Sequence, residues 1–179
     1  MKTNLRTMTA VAVFGLLAAP AALPEEHYTG AALSQFERQV RHELIMLPYY
    51  GVFDNLAFRV DGREVTLLGQ VSRPTLKTDA ERVVARLEGV EKVVNQIEVL
   101  PLSSFDGRIR LQAYWAIYGH SAMLQHAVQP IAPIRIIVKN GNVTLEGAAA
   151  SEMAKNIANL QANGVPGVFS VTNNLVVNP

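Results

Sequence analysis

The chain has 179 residues, of which 49% are hydrophobic and 17% charged, so it can form one ordinary domain or two small ones. Its net charge of +1 comes from 16 basic and 15 acidic side chains spread along the sequence, which argues against a nucleic-acid-binding protein. The lack of cysteine excludes disulfides, thiolate metal sites and cysteine nucleophiles.

The N-terminal segment has the pattern of an export signal. Lys2 and Arg6 are followed by an uncharged run of apolar and small residues. The small-residue rule predicts cleavage after Ala21 or Ala22. An uncleaved membrane anchor is the alternative, but the run is short for a bilayer span. Residues 1–22 are therefore predicted to be a signal peptide.

The remaining sequence contains an internal repeat. A shift of 78 residues places residues 65–69 on 143–147, and the match continues without a gap. Further matched pairs are Gly89 with Gly167, Val93 with Val171, Asn95 with Asn173 and Pro101 with Pro179. The repeat predicts two copies of one unit, at 33–101 and 105–179, joined by a very short linker.

In the first copy, apolar residues recur at helical spacing over 34–46, which predicts a helix that ends before a proline. Alternating apolar residues on both sides of the turn at 61–62 predict a β-hairpin. A second helix is predicted over 73–88, stopped by Gly89, and a last strand over 92–99.

The second copy repeats this order, with a hairpin turn at 140–141 and a second helix over 151–163. It differs by an inserted loop at 119–133, roughly ten residues longer than the corresponding connection in the first copy. The predicted fold class is α+β: two tandem αββαβ modules, each a three-stranded sheet covered by two helices.

Two motifs resemble the BON domain family. One is the pattern Gly-x-Val-Thr-Leu-x-Gly at 141–147, present around 65–69 with one extra residue in the turn. The other is the glycine-valine turn after each second helix, at 89–90 and 167–168. The resemblance implies an envelope protein that associates with phospholipid surfaces, or that acts in stress protection with chaperone-like behaviour. It also implies that the module has no catalytic residues.

Four glycines at family positions have a structural explanation. Gly69 and Gly147 are expected to end a strand where a helix packs closely. Gly89 and Gly167 are expected to adopt the left-handed backbone that stops a helix. We assign them no binding role.

The sequence contains few residues that could form a catalytic site. Its histidines are His27, His42, His120 and His126, and none of their spacings matches a helical metal motif. A hydrolase would need His120 or His126 near an acidic partner, whereas solvated loop histidines are the simpler interpretation. We therefore predict no enzyme activity, no metal and no cofactor.

The two copies differ in surface chemistry, because the first carries 19 charged residues in 69 and the second only 8 in 75. Aromatic side chains with neighbouring arginines suit an anionic membrane interface. The candidate lipid- or partner-binding residues are Trp115, Tyr118, Met123, Leu124 and Arg135. The alternative is that Trp115 and its neighbours on the first predicted helix of the second copy fill the core.

We therefore expect a periplasmic protein whose partner is a phospholipid or membrane surface, or another envelope protein. Secretion is the alternative location. A chaperone-like or self-assembling interaction module, using the same apolar surface, is the alternative function. The sequence does not determine the oligomeric state.

Overall fold

The computed structural model describes residues 34–123, 129 and 131–177. The predicted signal peptide and Leu124 lie outside these residues. The described chain forms two sheets, each with two helices packed against it, and both belong to one compact unit. The predicted α+β fold of two repeated modules is confirmed.

The two modules have the same order of elements. The first contains helix α1 (Gln35–Ile45), strands β1 (Asn55–Asp61) and β2 (Glu64–Val71), helix α2 (Pro74–Val84), and strands β3 (Lys92–Asn95) and β4 (Glu98–Val99). The second contains helix α3 (Ser104–Tyr118), strands β5 (Ile134–Lys139) and β6 (Asn142–Ala149), helix α4 (Glu152–Asn163), and strands β7 (Ser170–Asn173) and β8 (Val176–Val177).

Serine side chains cap three of the four helices described above, α1, α3 and α4. The hydroxyl of Ser34 accepts a hydrogen bond from the backbone N–H of Glu37, and the Glu37 carboxylate accepts one from the Ser34 N–H, which forms a capping box. The bond from the Ser34 backbone also holds the pKa of Glu37 below its ordinary value. Ser151 caps α4 as predicted, accepting from the N–H of Ala154 at 3.1 Å.

The end of α2 differs from the prediction. The helix ends at Val84 and not near residue 88. The following N–H groups of Arg86 and Leu87 donate to carbonyls three residues back, so the last turn tightens and leaves the α-helical pattern. Gly89, with φ of 93°, lies beyond this turn and reverses the chain.

In each sheet an antiparallel hairpin is joined by a parallel third strand. The third strand was predicted to be continuous over 92–99, but it is interrupted between β3 and β4. The side chain of Asn95 bonds to the backbone at the break: its amide donates to the Lys77 carbonyl at 2.9 Å, and its oxygen accepts from the Ile97 N–H at 3.2 Å. Asn173 makes the equivalent pair of bonds in the second module.

Gly69 and Gly147 were expected to make room for a helix, and that reason is wrong. They have φ of 106° and 101° within β2 and β6. A Cβ atom at Gly69 would lie 2.1 Å from the carbonyl oxygen of Asn55, and one at Gly147 would lie 2.2 Å from that of Pro133. The close neighbour is therefore the backbone at the start of the adjoining hairpin strand.

The connection after α1 joins the two modules. The N–H of Ile136 in β5 donates to the carbonyl of Val52 at 2.8 Å, so this segment covers the edge of the second sheet. Val52 and Phe53 pack against the second core, and Lys139 pairs with Glu98 at 2.5 Å. These contacts hold the modules together.

The insertion in the second module is shorter than predicted. Nine residues separate α1 from β1, and fifteen separate α3 from β5, a difference of six instead of about ten. A short 3-10 helix, Ser121–Met123, follows α3. Among the described residues, no helix combines the length and apolar character that crossing a membrane requires.

Candidate functional site

Exposed apolar side chains are concentrated in the second half of the protein. Among the described residues, eleven large hydrophobic side chains are exposed, and only two of them precede residue 100. They are Met46, Tyr49, Leu102, Phe105, Leu111, Trp115, Ile131, Met153, Leu160, Phe169 and Val176. A contiguous apolar surface marks an interaction site, whereas single exposed apolar side chains are ordinary, so the positions of neighbouring members of this set matter.

The helix α3 presents one apolar row to solvent. Trp115 is 68% exposed and Leu111 54% exposed, and Arg108 lies one turn before Leu111. This spacing puts the three side chains on one side of the helix, opposite the side that buries Ile109 and Ala113. We call Arg108, Leu111 and Trp115 the α3 row.

The first module has no such row. The helices α1 and α3 can be aligned on their buried residues, which places Val40 of α1 at the position of Ala113 of α3. The residues on the solvent-exposed sides of the two helices then correspond. The matched pairs are Arg38 with Leu111 and His42 with Trp115. Because the same fold forms with polar residues at these positions, the fold does not require apolar ones.

Aromatic residues extend the apolar surface at the start of α3. The rings of Phe105 and Phe169 lie 6.1 Å apart, and the Arg108 guanidinium lies 5.9 Å from the Phe105 ring centre. Phe169 is 74% exposed. Tryptophan and tyrosine are enriched at membrane interfaces, and basic side chains are attracted to anionic headgroups, so this surface has features that such an interface favours.

The site residues predicted from the sequence are not all on the surface. Trp115 lies on the surface, whereas Tyr118 and Met123 are buried in the second core. Tyr118 and Met123 are therefore not accessible to a lipid or partner in this conformation. Arg135 is only 8% exposed, and Leu124 lies outside the described residues.

Tyr118 joins α3 to β5. Its hydroxyl donates to the Ile134 carbonyl at 2.6 Å and accepts from the Ile134 N–H at 3.1 Å. Burial raises the pKa of Tyr118 to about 12, so the phenol keeps its proton in the folded protein well above its ordinary range. The side chain is a structural link within the module.

Replacing Tyr118 by phenylalanine is expected to lower the free energy of unfolding by about 1–3 kcal/mol at neutral pH, because both buried Ile134 groups lose their partner. Since folding raises this pKa, the unfolded chain releases the proton first, and the stabilisation is lost as pH rises from about 10 to about 12. Urea denaturation should show the difference between the two proteins shrinking over that range. A difference that stays constant from pH 8 to 12 would contradict this role.

Arg135 makes contacts at the junction between the two modules. It donates through Nη1 to the carbonyl of Gly51 at 3.0 Å, and its guanidinium lies 4.5 Å from the centre of the Tyr50 ring. Both partners belong to the connection after α1. The structure thus assigns Arg135 a role in fixing this segment on β5.

A cleft of about 240 Å³ lies at the same junction. Tyr50, Tyr114 and Arg135 form part of its wall. Its described lining contains no histidine, aspartate or glutamate.

Of the two histidines that were considered for catalysis, the structure describes only His120. His120 precedes the 3-10 helix and accepts through Nδ1 from the N–H of Ala122 at 3.3 Å. His27 and His126 lie outside the described residues. Among the residues that the structure describes, no three histidine, aspartate or glutamate side chains are grouped to hold a metal ion.

Two buried carboxylates were missed from the sequence because acidic residues are usually exposed. Asp106 accepts from the N–H groups of Asn140 and Gly141, at 2.9 and 2.8 Å, and so ties α3 to the hairpin turn. Asp54 accepts from the N–H groups of Gly51 and Ser72. Both carboxylates hold loops in place and are satisfied by backbone donors.

The exposed positions of Leu111, Met153, Leu160 and Phe169 were also missed. Helical periodicity shows which residues share a side of a helix, but a helix with apolar residues on two sides hides which side is buried. Comparing the two copies position by position is the signal that could have found them. At each of these four positions the first copy has a polar residue, so the shared fold does not require an apolar one there.

The protein is similar to one known family and to solved structures. The model of the BON domain matches residues 34–101 and 120–179. A search of curated proteins finds no significant match. Two solved structures of CdsD, a structural protein of the type III secretion system of Chlamydia trachomatis, are similar at 14% and 13% identity, each with a TM-score of 0.29. The matches cover 83% and 79% of this chain, and 100% and 91% of those chains.

Proposed function

The chain belongs to the BON domain family, and from that premise we propose that it is a non-enzymatic protein that binds anionic phospholipid surfaces through the α3 row. Members of the family are generally non-catalytic and are associated with membrane or phospholipid binding. The observation that carries the proposal is the exposed Trp115, at a position where the first module has a histidine.

The chemistry of the α3 row fits the interfacial region of a bilayer. Tryptophan prefers the boundary between lipid headgroups and acyl chains, and a neighbouring leucine adds apolar area that leaves water on insertion. Each basic side chain near an anionic surface contributes about 1 kcal/mol of attraction. Arg108, whose guanidinium lies over the Phe105 ring, supplies such a charge in the α3 row.

In this proposal the first module has a structural role. Its outward helical positions are polar, and its connection after α1 is fixed on β5 by Arg135 and by the bond from Ile136 to Val52. We place the protein at the periplasmic side of a membrane, because the sequence of residues 1–22 has the pattern of an export signal.

Trp115 is the single tryptophan of the chain, so its fluorescence reports directly on the proposed contact. Adding vesicles that contain phosphatidylglycerol should shift its emission to shorter wavelength, because the indole ring leaves water. Vesicles of phosphatidylcholine alone should give a weaker response, and salt should reduce the affinity for the anionic ones. Emission that does not change at any lipid concentration would refute the proposal.

The alternative function is binding of unfolded proteins by the same apolar surface. It predicts that the emission of Trp115 shifts when a denatured client protein is added without lipid, and that the protein delays aggregation of that client. A response to clients with none to vesicles would favour this function over lipid binding.

A further inference from the structure

The helix α4 carries a second apolar row. Met153 is 71% exposed and Leu160 is 69% exposed. They are seven residues apart and thus lie on the same side of the helix. The opposite side buries three alanines, Ala154, Ala158 and Ala162. We call Met153 and Leu160 the α4 row.

This row is also specific to the second module. The shift of 78 residues places Thr75 of α2 at the position of Met153, and Arg82 of α2 at the position of Leu160. The two helices have corresponding alanine positions in their modules, since Ala80 and Ala158 are both fully buried. The outward apolar residues of α4 are therefore additions to a scaffold that folds without them.

The α3 and α4 rows belong to one helix layer, which α3 and α4 form on the sheet of the second module. The two helices pack against each other, and both pack on the sheet of the second module. Each row lies opposite the side of its helix that is buried against the sheet. Packed helices are about 8–10 Å apart, so both rows can meet one continuous surface.

We propose that α4 forms a second line of membrane contact, so that the second module lies with its whole helix layer against an anionic bilayer. This inference rests on the proposed function and extends it from one helix to two. A bilayer is the partner of choice because the apolar side chains are spread over two helices instead of lining one deep groove. The cation of Arg108 at the α3 row matches the anionic headgroups.

The absence of cysteine makes a direct test available. A Leu160→Cys variant is labelled with an environment-sensitive fluorophore such as NBD and titrated with phosphatidylglycerol vesicles. Arg82→Cys, at the matched position of α2, is the control. We expect the label at 160 to brighten at least twofold, over the same lipid concentrations that shift the Trp115 emission. The label at 82 should stay unchanged.

The possible outcomes separate the two claims. If Trp115 responds and the label at 160 does not, the second line of contact is refuted while the proposed function stands. If neither probe responds, both fail. If the label at 160 brightens with protein concentration in the absence of lipid, the α4 row binds a second copy of the chain and the inference is overturned.

Discussion

Replacing Gly147 by alanine is expected to lower the free energy of unfolding by about 3–5 kcal/mol, a large fraction of the stability of an ordinary domain. The residue has φ of 101°, which side chains other than glycine adopt at a cost. The added Cβ would also lie 2.2 Å from the Pro133 carbonyl oxygen, so the two hairpin strands would have to separate.

Gly107→Ala is the matched control, because a Cβ at this position in α3 meets no atom within 4 Å. The same substitution there is expected to stabilise the protein by about 0.5–1 kcal/mol, since alanine favours the helix. Urea denaturation of both variants measures the contrast. A Gly147→Ala protein that unfolds at the same urea concentration as the unaltered protein would contradict this account of the hairpin.

The fold could be predicted from the sequence wherever a local pattern determines the structure. The turn at Asn140 and Gly141 has φ of 52° and 76°, the geometry that an Asn-Gly hairpin requires. Ser151 caps its helix, and the periodic apolar positions of both modules form their cores. These features depend on neighbours in the chain, so the residues themselves indicate them.

Features that depend on distant residues could not be predicted. Nothing in the sequence around Val52 indicates that its carbonyl accepts from Ile136, because the contact exists only once both modules have formed. The same is true of Arg135, whose partners lie in the other module. A cationic side chain near aromatic residues can serve a surface or a junction, and only the tertiary structure decides between them.

The sequence could not show which of the candidate residues are exposed. The difference in charge between the two copies correctly directed attention to the second module as the more apolar surface. It could not separate Trp115, which is exposed, from Tyr118, which is buried three residues later. The polar group of a tyrosine or tryptophan forms hydrogen bonds either with water or with the backbone. The hydroxyl of Tyr118 bonds to the backbone of Ile134.

The second large effect is expected in lipid binding. A variant with Leu111→Gln and Trp115→His makes the α3 row polar without adding charge at pH 7.5. Losing the apolar area of both side chains should cost about 2–3 kcal/mol of binding, which is about 30- to 150-fold in affinity for anionic vesicles. Both side chains are exposed, so the variant should fold normally.

The control applies the same kind of change to the first module. Met46 is 65% exposed and Tyr49 is 74% exposed, outside the helix layer of the second module. A variant with Met46→Gln and Tyr49→His therefore removes comparable exposed apolar area elsewhere on the protein. Its vesicle affinity should stay within about twofold of the unaltered protein, because these residues do not take part in the proposed contact.

Cosedimentation of these two variants with phosphatidylglycerol vesicles tests most directly whether the helix layer of the second module is the membrane-binding surface. We predict that the variant at Leu111 and Trp115 remains in the supernatant at lipid concentrations that sediment the unaltered protein, and that the variant at Met46 and Tyr49 sediments with the vesicles. Equal sedimentation of both variants, or an equal loss in both, would contradict the account.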